Sequence, residues 1–273
     1  MQTPKSILLH LDSSARVVER IKVARQLAET FNAEVTGLPC MMSSLMRYPF
    51  ALEGAAQALA IMQDLDRQCR DKAYAAFTAV GSGSPRFKWE EPMGDAPWGF
   101  ARRALYCDLM ILGQRDAGDP AAGELPGDFL PSLLVESGRP ALVLPYAGPI
   151  APIGRTVLVA WKETRESARA VSAALPWLRR AATVHVVSYG EDIESSLEAL
   201  QAYLRAQGVT ATLQQGGPQD DEVGGRLLSL AADRSADLLV MGCYGHSRAR
   251  EWVLGGATSS ILQSMTLPVL MSH

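Results

Sequence analysis

Short unbroken apolar runs alternate with longer stretches in which apolar residues return every three or four positions. Ser6-Ile-Leu-Leu-His-Leu-Asp12 and Thr156-Val-Leu-Val-Ala-Trp-Lys162 are runs of the first kind. They lack period-two alternation, the mark of a parallel strand buried on both faces. After the first, Val17, Ile21, Ala24, Ala28 and Phe31 fall on one helical face; after the second, Val171, Ala174, Leu175 and Leu178 do the same. The two halves continue to answer each other. Glu34–Pro39 corresponds to Thr183–Ser188, a long helical stretch over Leu52–Val80 to a shorter one over Ser195–Gln207, and Phe87–Glu90 to Val209–Leu213. The clearest pair is Asp108-Leu-Met-Ile-Leu-Gly113 with Asp237-Leu-Leu-Val-Met-Gly242, and the last is Gly138–Pro145 with Thr266–Met271. Each half therefore reads as five parallel strands alternating with helices, a doubly wound α/β layer.

Length agrees with the repeat, since 273 residues is about two average domains. The segment Gly148-Pro-Ile-Ala-Pro-Ile-Gly154 can continue neither strand nor helix, and divides the chain into domains 1–148 and 153–273. With 48% hydrophobic and 20% charged residues and a net charge of -3, the composition is that of a soluble globular protein without the basic excess that nucleic acid requires. No apolar run has the length of a membrane span, and the N-terminus lacks the basic and apolar regions of a secretory signal, so a cytoplasmic protein is expected. Four scattered cysteines and four scattered histidines offer no zinc spacing or disulfide framework. Cys40, Cys69, Cys107 and Cys243 are expected to be buried thiols, and Trp98 and Trp252 to be buried structural residues.

In open α/β sheets ligands bind beyond the carboxyl ends of the strands, which directs attention to the loops after Trp161, Val187 and Met241. The third loop reads Gly242-x2-Gly245-x9-Gly255-Gly256, followed by a helical pattern from Thr258. Glycines between a strand and a helix start let backbone N–H groups approach an anion, and the helix dipole favours one there. Phosphate is the implied ligand. His246, with Ser247, Arg248 and Arg250 beside it, is a candidate contact for a terminal phosphate. Asp12-Ser13-Ser14 and Lys162-Glu163-Thr164 read as helix N-caps.

At these glycines the chain resembles the universal stress protein family, whose nucleotide-binding members carry Gly-x2-Gly-x9-Gly-[Ser/Thr] between a strand and a helix. The resemblance extends over both halves, and so resembles a tandem universal stress protein. It implies two Rossmann-like or flavodoxin-like (HUP-type) domains forming an intramolecular pseudo-dimer, with final strands Ala141–Leu144 and Pro268–Met271 pairing. It further implies ATP, or AMP or ADP, with Mg2+ as an accompanying ion. Met241, Gly242, Gly245, Gly255, Gly256, Ala257 and Thr258 would surround ribose and phosphates, with Ala160 and Val186 against adenine. Lys162 stands where ATP-binding members carry an Asp, and Gly256 where they carry Ser or Thr. The first half has the opposite pattern, with Asp12 present and the glycine spacing broken after Gly113.

The function implied is a non-enzymatic stress-response regulator that binds an adenine nucleotide in the second half and acts through a protein partner, alone or as a homodimer of the tandem chain. Two alternatives are a nucleotide-independent interaction module, in which both sites are degenerate and the Met-rich segment Met41–Phe50 or a sheet edge carries the binding, and a slow ATPase. The second lacks a visible base, a metal-binding carboxylate pair and a P-loop lysine.

Overall fold

The computed structural model describes residues 3–47, 56–91, 97–148, 152–245 and 256–273. They fall into two compact units, Pro4–Ser137 and Gly138–His273.

In the first unit the apolar runs become β1 (Ser6–Leu11), β2 (Glu34–Pro39), β3 (Phe87–Trp89) and β4 (Leu109–Gly113). Their order is β3-β2-β1-β4, every neighbour parallel. Helix α1 (Val17–Phe31) buries Val17, Ile21, Ala24, Ala28 and Phe31, the apolar stripe of the sequence, and ends at Asn32 in the left-handed conformation with φ of 54°. Short α2 (Ser44–Arg47) precedes the 26-residue α3 (Ala56–Gly81). After them come α4 (Gly99–Ala104), a 3-10 turn over Pro120–Glu124 and α5 (Phe129–Glu136).

The second unit contains β5 (Ala141–Leu144), β6 (Thr156–Trp161), α6 (Arg165–Leu178), β7 (Thr183–Ser188), α7 (Glu194–Ala206) and β8 (Thr212–Gln215). It continues through α8 (Val223–Asp233), β9 (Leu238–Gly242), α9 (Ala257–Ser264) and β10 (Val269–Ser272). Strand order is β5-β10-β9-β6-β7-β8. All neighbours are parallel except β5 and β10, which pair antiparallel through Val143↔Val269, Leu142↔Leu270 and Ala141↔Met271. The last strands of the two repeats thus lie side by side, and β5 is grouped with the second repeat in space although it closes the first in sequence.

The repeat holds at the level of register. Ser6–Leu11 pairs residue for residue with Glu34–Pro39, and Thr156–Trp161 does so with Thr183–Ser188. The Asp that opens β4 and β9 has one role in both. Asp108 accepts from the backbone N–H groups of Lys5 and Ser6, and Asp237 from those of Gly154, Arg155 and Thr156, so each carboxylate fastens the start of the neighbouring strand. Beyond its strands, the second unit brings the ends of β6, β7 and β9 together with the starts of α6, α8 and α9.

Candidate functional site

A cavity of about 340 Å³ opens at the carboxyl ends of these strands, the place where a parallel sheet leaves a crevice between its loops. Ala160, Trp161 and Lys162 enter from β6, Val187 and Tyr189 from the end of β7, and Met241, Gly242, Tyr244 and Gly245 from β9 and its loop. Gly256, Ala257 and Thr258 contribute the start of α9. The start of α6 adds Thr164, Glu166 and Ser167, and the segment entering α8 adds Gln219, Asp220, Asp221, Val223 and Leu227.

The loop after β9 is shaped by close backbone approach. A Cβ on Gly242 would stand 2.6 Å from the backbone nitrogen of Ser167 and 2.8 Å from the carbonyl carbon of Glu166, so only glycine lets the loop lie over the start of α6. A Cβ on Gly245 would come nearest the Glu166 carboxylate oxygen, at 3.4 Å, with the Thr164 hydroxyl at 3.9 Å. Between them Tyr244 takes φ of 53°, an uncommon conformation for a bulky residue. Its N–H donates to the buried Thr258 hydroxyl at 3.4 Å, tying the loop to α9. Gly256 is the N-cap of α9 and supplies no side-chain oxygen, so the first turn of that helix borders the cavity without a side-chain cap.

At the start of α6, Thr164 is the N-cap and accepts from the Ser167 N–H at 3.3 Å, the capping role its position suggests. Asp12-Ser13-Ser14 is different, because α1 begins after Arg16 without a side-chain cap. Asp12 instead accepts from the N–H and hydroxyl of Ser14 and from Arg20, a local turn that a single polar residue ahead of a helix satisfies as readily as a cap.

One wall is aromatic. The Trp161 indole N–H donates to the Ser196 hydroxyl at 2.9 Å, and Arg226 lies over the Tyr189 ring, 5.2 Å from its centre. A Cβ on Gly216 would come within 2.4 Å of that ring, so the glycine gives it room. Burial pushes the Tyr189 hydroxyl pKa up against the opposing pull of Arg226. Asp220 accepts from both terminal nitrogens of Arg226, at 3.0 and 2.7 Å, and the hydrogen bonds from that guanidinium lead the causes that hold its carboxyl below the ordinary range. Burial works against ionisation of Glu166, yet hydrogen bonds from Arg165, from its own amide and from Thr164, with the Arg165 charge, outweigh it and lower its pKa.

Of the residues the sequence singles out, Ala160, Lys162, Met241, Gly242, Gly245, Gly256, Ala257 and Thr258 line this cavity together. Val186 does not. Ala160 pairs with Val187 in the register, and Val187 lines the cavity, whereas Val186 pairs with Val159 and does not. One position along a strand inverts the face. His246 and Gly255 lie outside the described residues, as do Ser247, Arg248, Arg250 and Trp252. Glu163 is exposed and off the cavity. Trp98, expected to be buried, is 58% exposed. Trp161, Tyr189, Glu166 and the 219–223 segment were not singled out by the sequence. Their signal was positional only, the first two adjoining loops already marked as ligand-side.

The first unit treats the same place differently. Asp12 is 8% exposed and forms an ion pair with the buried Arg20 at 3.1 Å. The N–H of Ser13 donates to Glu124 at 3.0 Å, and that of Ala15 to Asp119 at 3.0 Å, so carboxylates from the stretch after β4 occupy the donors of the loop after β1. The Ser13 hydroxyl also donates to Glu124.

Residues 154–273 match the model of the universal stress protein family. The universal stress protein Slr1230 of Synechocystis sp. is 47% identical over 38 residues, which span 14% of this chain and 13% of that relative. A universal stress protein from Archaeoglobus fulgidus superposes with a TM-score of 0.71 at 16% identity, over 99% of this chain and 96% of its own. A protein of unknown function from Pseudomonas aeruginosa PAO1 does so with a TM-score of 0.60 at 18% identity, over 99% of this chain and 93% of its own. At these identities the two structures establish the shared fold, and among the described residues no helix is long and apolar enough to cross a membrane. With the family match over residues 154–273 and that fold over the full length, residues 154–273 belong to the universal stress protein family and the whole chain shares its fold.

Proposed function

We propose that this chain is a non-enzymatic, cytoplasmic stress-response protein that binds one adenine nucleotide, ATP or AMP, in the cavity of residues 138–273 and alters its contacts with a protein partner accordingly. The observation that carries the proposal is the convergence on one cavity of the glycine loop after β9, the start of α9 and the apolar ends of β6 and β7. Its volume, about 340 Å³, lies in the range of small-molecule sites. The apolar lining of Ala160, Val187 and Met241 suits a base, and the start of α9 suits a phosphate. Among the described residues no cluster of three His, Cys, Asp or Glu could hold a metal, so Mg2+ would arrive with the nucleotide's own phosphates.

The test is calorimetric titration of nucleotide-stripped protein with ATP and AMP, beside Gly245→Val. Gly245 is the better choice than Gly242, because its side chain would point toward Glu166 and Thr164 and fill the site, whereas one at Gly242 would strike the backbone of α6. Saturation near one site per chain, weakened at least tenfold in a variant with unchanged melting temperature, is expected. Absence of binding at millimolar ligand would sink the proposal. It would favour the nucleotide-independent reading, for which the exposed Met46, Ile61 and Leu65 of α2 and α3 are an available apolar surface.

A further inference from the structure

Among the described residues the cavity wall is richer in acid than in base, with Lys162 against the carboxylates of Glu166, Asp220 and Asp221. Asp220 is matched by Arg226. Glu166 is placed otherwise. It is 3% exposed, and its carboxylate stands at the glycine loop itself, 3.4 Å from the point where a Cβ of Gly245 would be. Its ion-pair partner Arg165, with a side chain 75% exposed and off the cavity lining, bonds Oε1, while Oε2 faces Gly245. The hydrogen bonds around Glu166 favour its ionised form. An anion is thus fixed beside Gly245, on the cavity side of the loop after β9. The small volume acts in the same direction, since about 340 Å³ is near the lower end for ligand cavities.

We propose that Glu166 is a specificity-determining residue that makes this cavity a site for low-charge nucleosides, adenosine and the monophosphate entering in preference to the metal-free triphosphate. The inference rests on the nucleotide-binding reading above. A first phosphate has the start of α9, which lacks a side-chain cap, to receive it; each further one adds negative charge in a partly desolvated space that already contains a carboxylate, where like charges repel far more than in water.

Titrations with adenosine, AMP and ATP in EDTA, and with ATP in excess Mg2+, test it on the wild type and on Glu166→Gln. In EDTA the wild type is expected to bind AMP at least tenfold more tightly than ATP, and Mg2+, by neutralising the β and γ phosphates, to narrow the gap. Glu166→Gln keeps the shape and removes the charge; it is expected to raise ATP affinity more than AMP affinity, until the two nucleotides differ by about threefold or less. A wild-type ratio near one overturns the proposal, as does a ratio that persists unchanged in a folded Glu166→Gln. Should that variant fail to melt cooperatively, Glu166→Asp, which draws the charge back by one methylene, is expected to reduce the ratio severalfold, and an unchanged ratio there overturns the proposal equally. Binding of AMP and ATP without discrimination removes this inference alone, whereas no binding of any of the three removes the nucleotide reading with it.

Discussion

His10 shows how much chemistry one buried residue of the first unit contains. It is 2% exposed, and its Nε2 donates to the carbonyl of Cys40 at 3.0 Å, which leaves Nδ1 to accept from Arg20 at 3.0 Å. That tautomer is neutral. Burial pushes its pKa down from 6.5 to about 4, with Asp12 opposing the shift and Arg20 reinforcing it. Asp12 is lowered to about 2, because Arg20, His10 and Ser14 outweigh the cost of its burial. A base with a depressed folded-state pKa contributes stability that is complete above its unfolded value and declines as the pH falls from 6.5 toward 4; the contribution of Asp12 is lost only below about 4. Between pH 7 and 4.5 the folded state should therefore weaken by roughly 2–3 kcal/mol through His10. Urea unfolding across that range should show the decline in the wild type and a flatter profile in His10→Asn, which is less stable throughout but cannot titrate. Parallel profiles would remove His10 as the cause. None of this was legible in the sequence, where His10 was one more position in an apolar run, nor was the left-handed Tyr244, which adopts the conformation that a Gly-x2-Gly motif suggests for its glycines.

At the scale of elements the sequence was most readable where packing alone decides. The face of α1 and the runs of β1, β2 and β7 needed only period and length, since their buried residues in a parallel sheet have no polar alternative. Short elements were less legible. β8 is Thr212–Gln215 rather than Val209–Leu213, because it is a half-exposed strand of mixed polarity whose register, fixed by β7, outweighs its own pattern. The repeated Asp before β4 and β9 was visible as a signature before it had a role. The structure supplies one, and it is measurable. Asp237 accepts from three N–H groups at 2.7 to 3.1 Å, so Asp237→Ala should cost about 3 kcal/mol by leaving these donors without their charged acceptor. Asp108→Ala, with two donors at 2.8 and 3.0 Å, should cost somewhat less. Chemical denaturation of the two variants gives the comparison, and a loss below about 0.5 kcal/mol in either would show that water replaces the carboxylate without penalty.

For the whole molecule, the tandem repeat has produced two units of one design in different chemical states. In the second, the loop after β6 borders the cavity through Lys162 and Thr164. In the first, the corresponding donors of Ser13 and Ala15 are satisfied by Glu124 and Asp119, and Asp12 is committed to Arg20. A ligand entering the first unit would have to displace those carboxylates and leave their hydrogen-bond partners unsatisfied, a cost that the second unit does not impose. The asymmetry was half legible: the broken glycine spacing after Gly113 was plain, but that the replacing stretch folds back as acid onto the loop after β1 depends on contacts more than 100 residues apart. It predicts one ligand per chain and a confined response. At a hundredfold excess of AMP over its dissociation constant, ligation should stabilise the site by about 2.7 kcal/mol. Amide hydrogen exchange should record this as slowed exchange at the start of α6, at Gly242–Gly245 and at the start of α9, with the loop after β1 and residues 113–124 unchanged. Slowed exchange in both sets, or a stoichiometry of two, would mean that Glu124 and Asp119 yield to ligand and that the first unit is a second site, held closed by its own side chains.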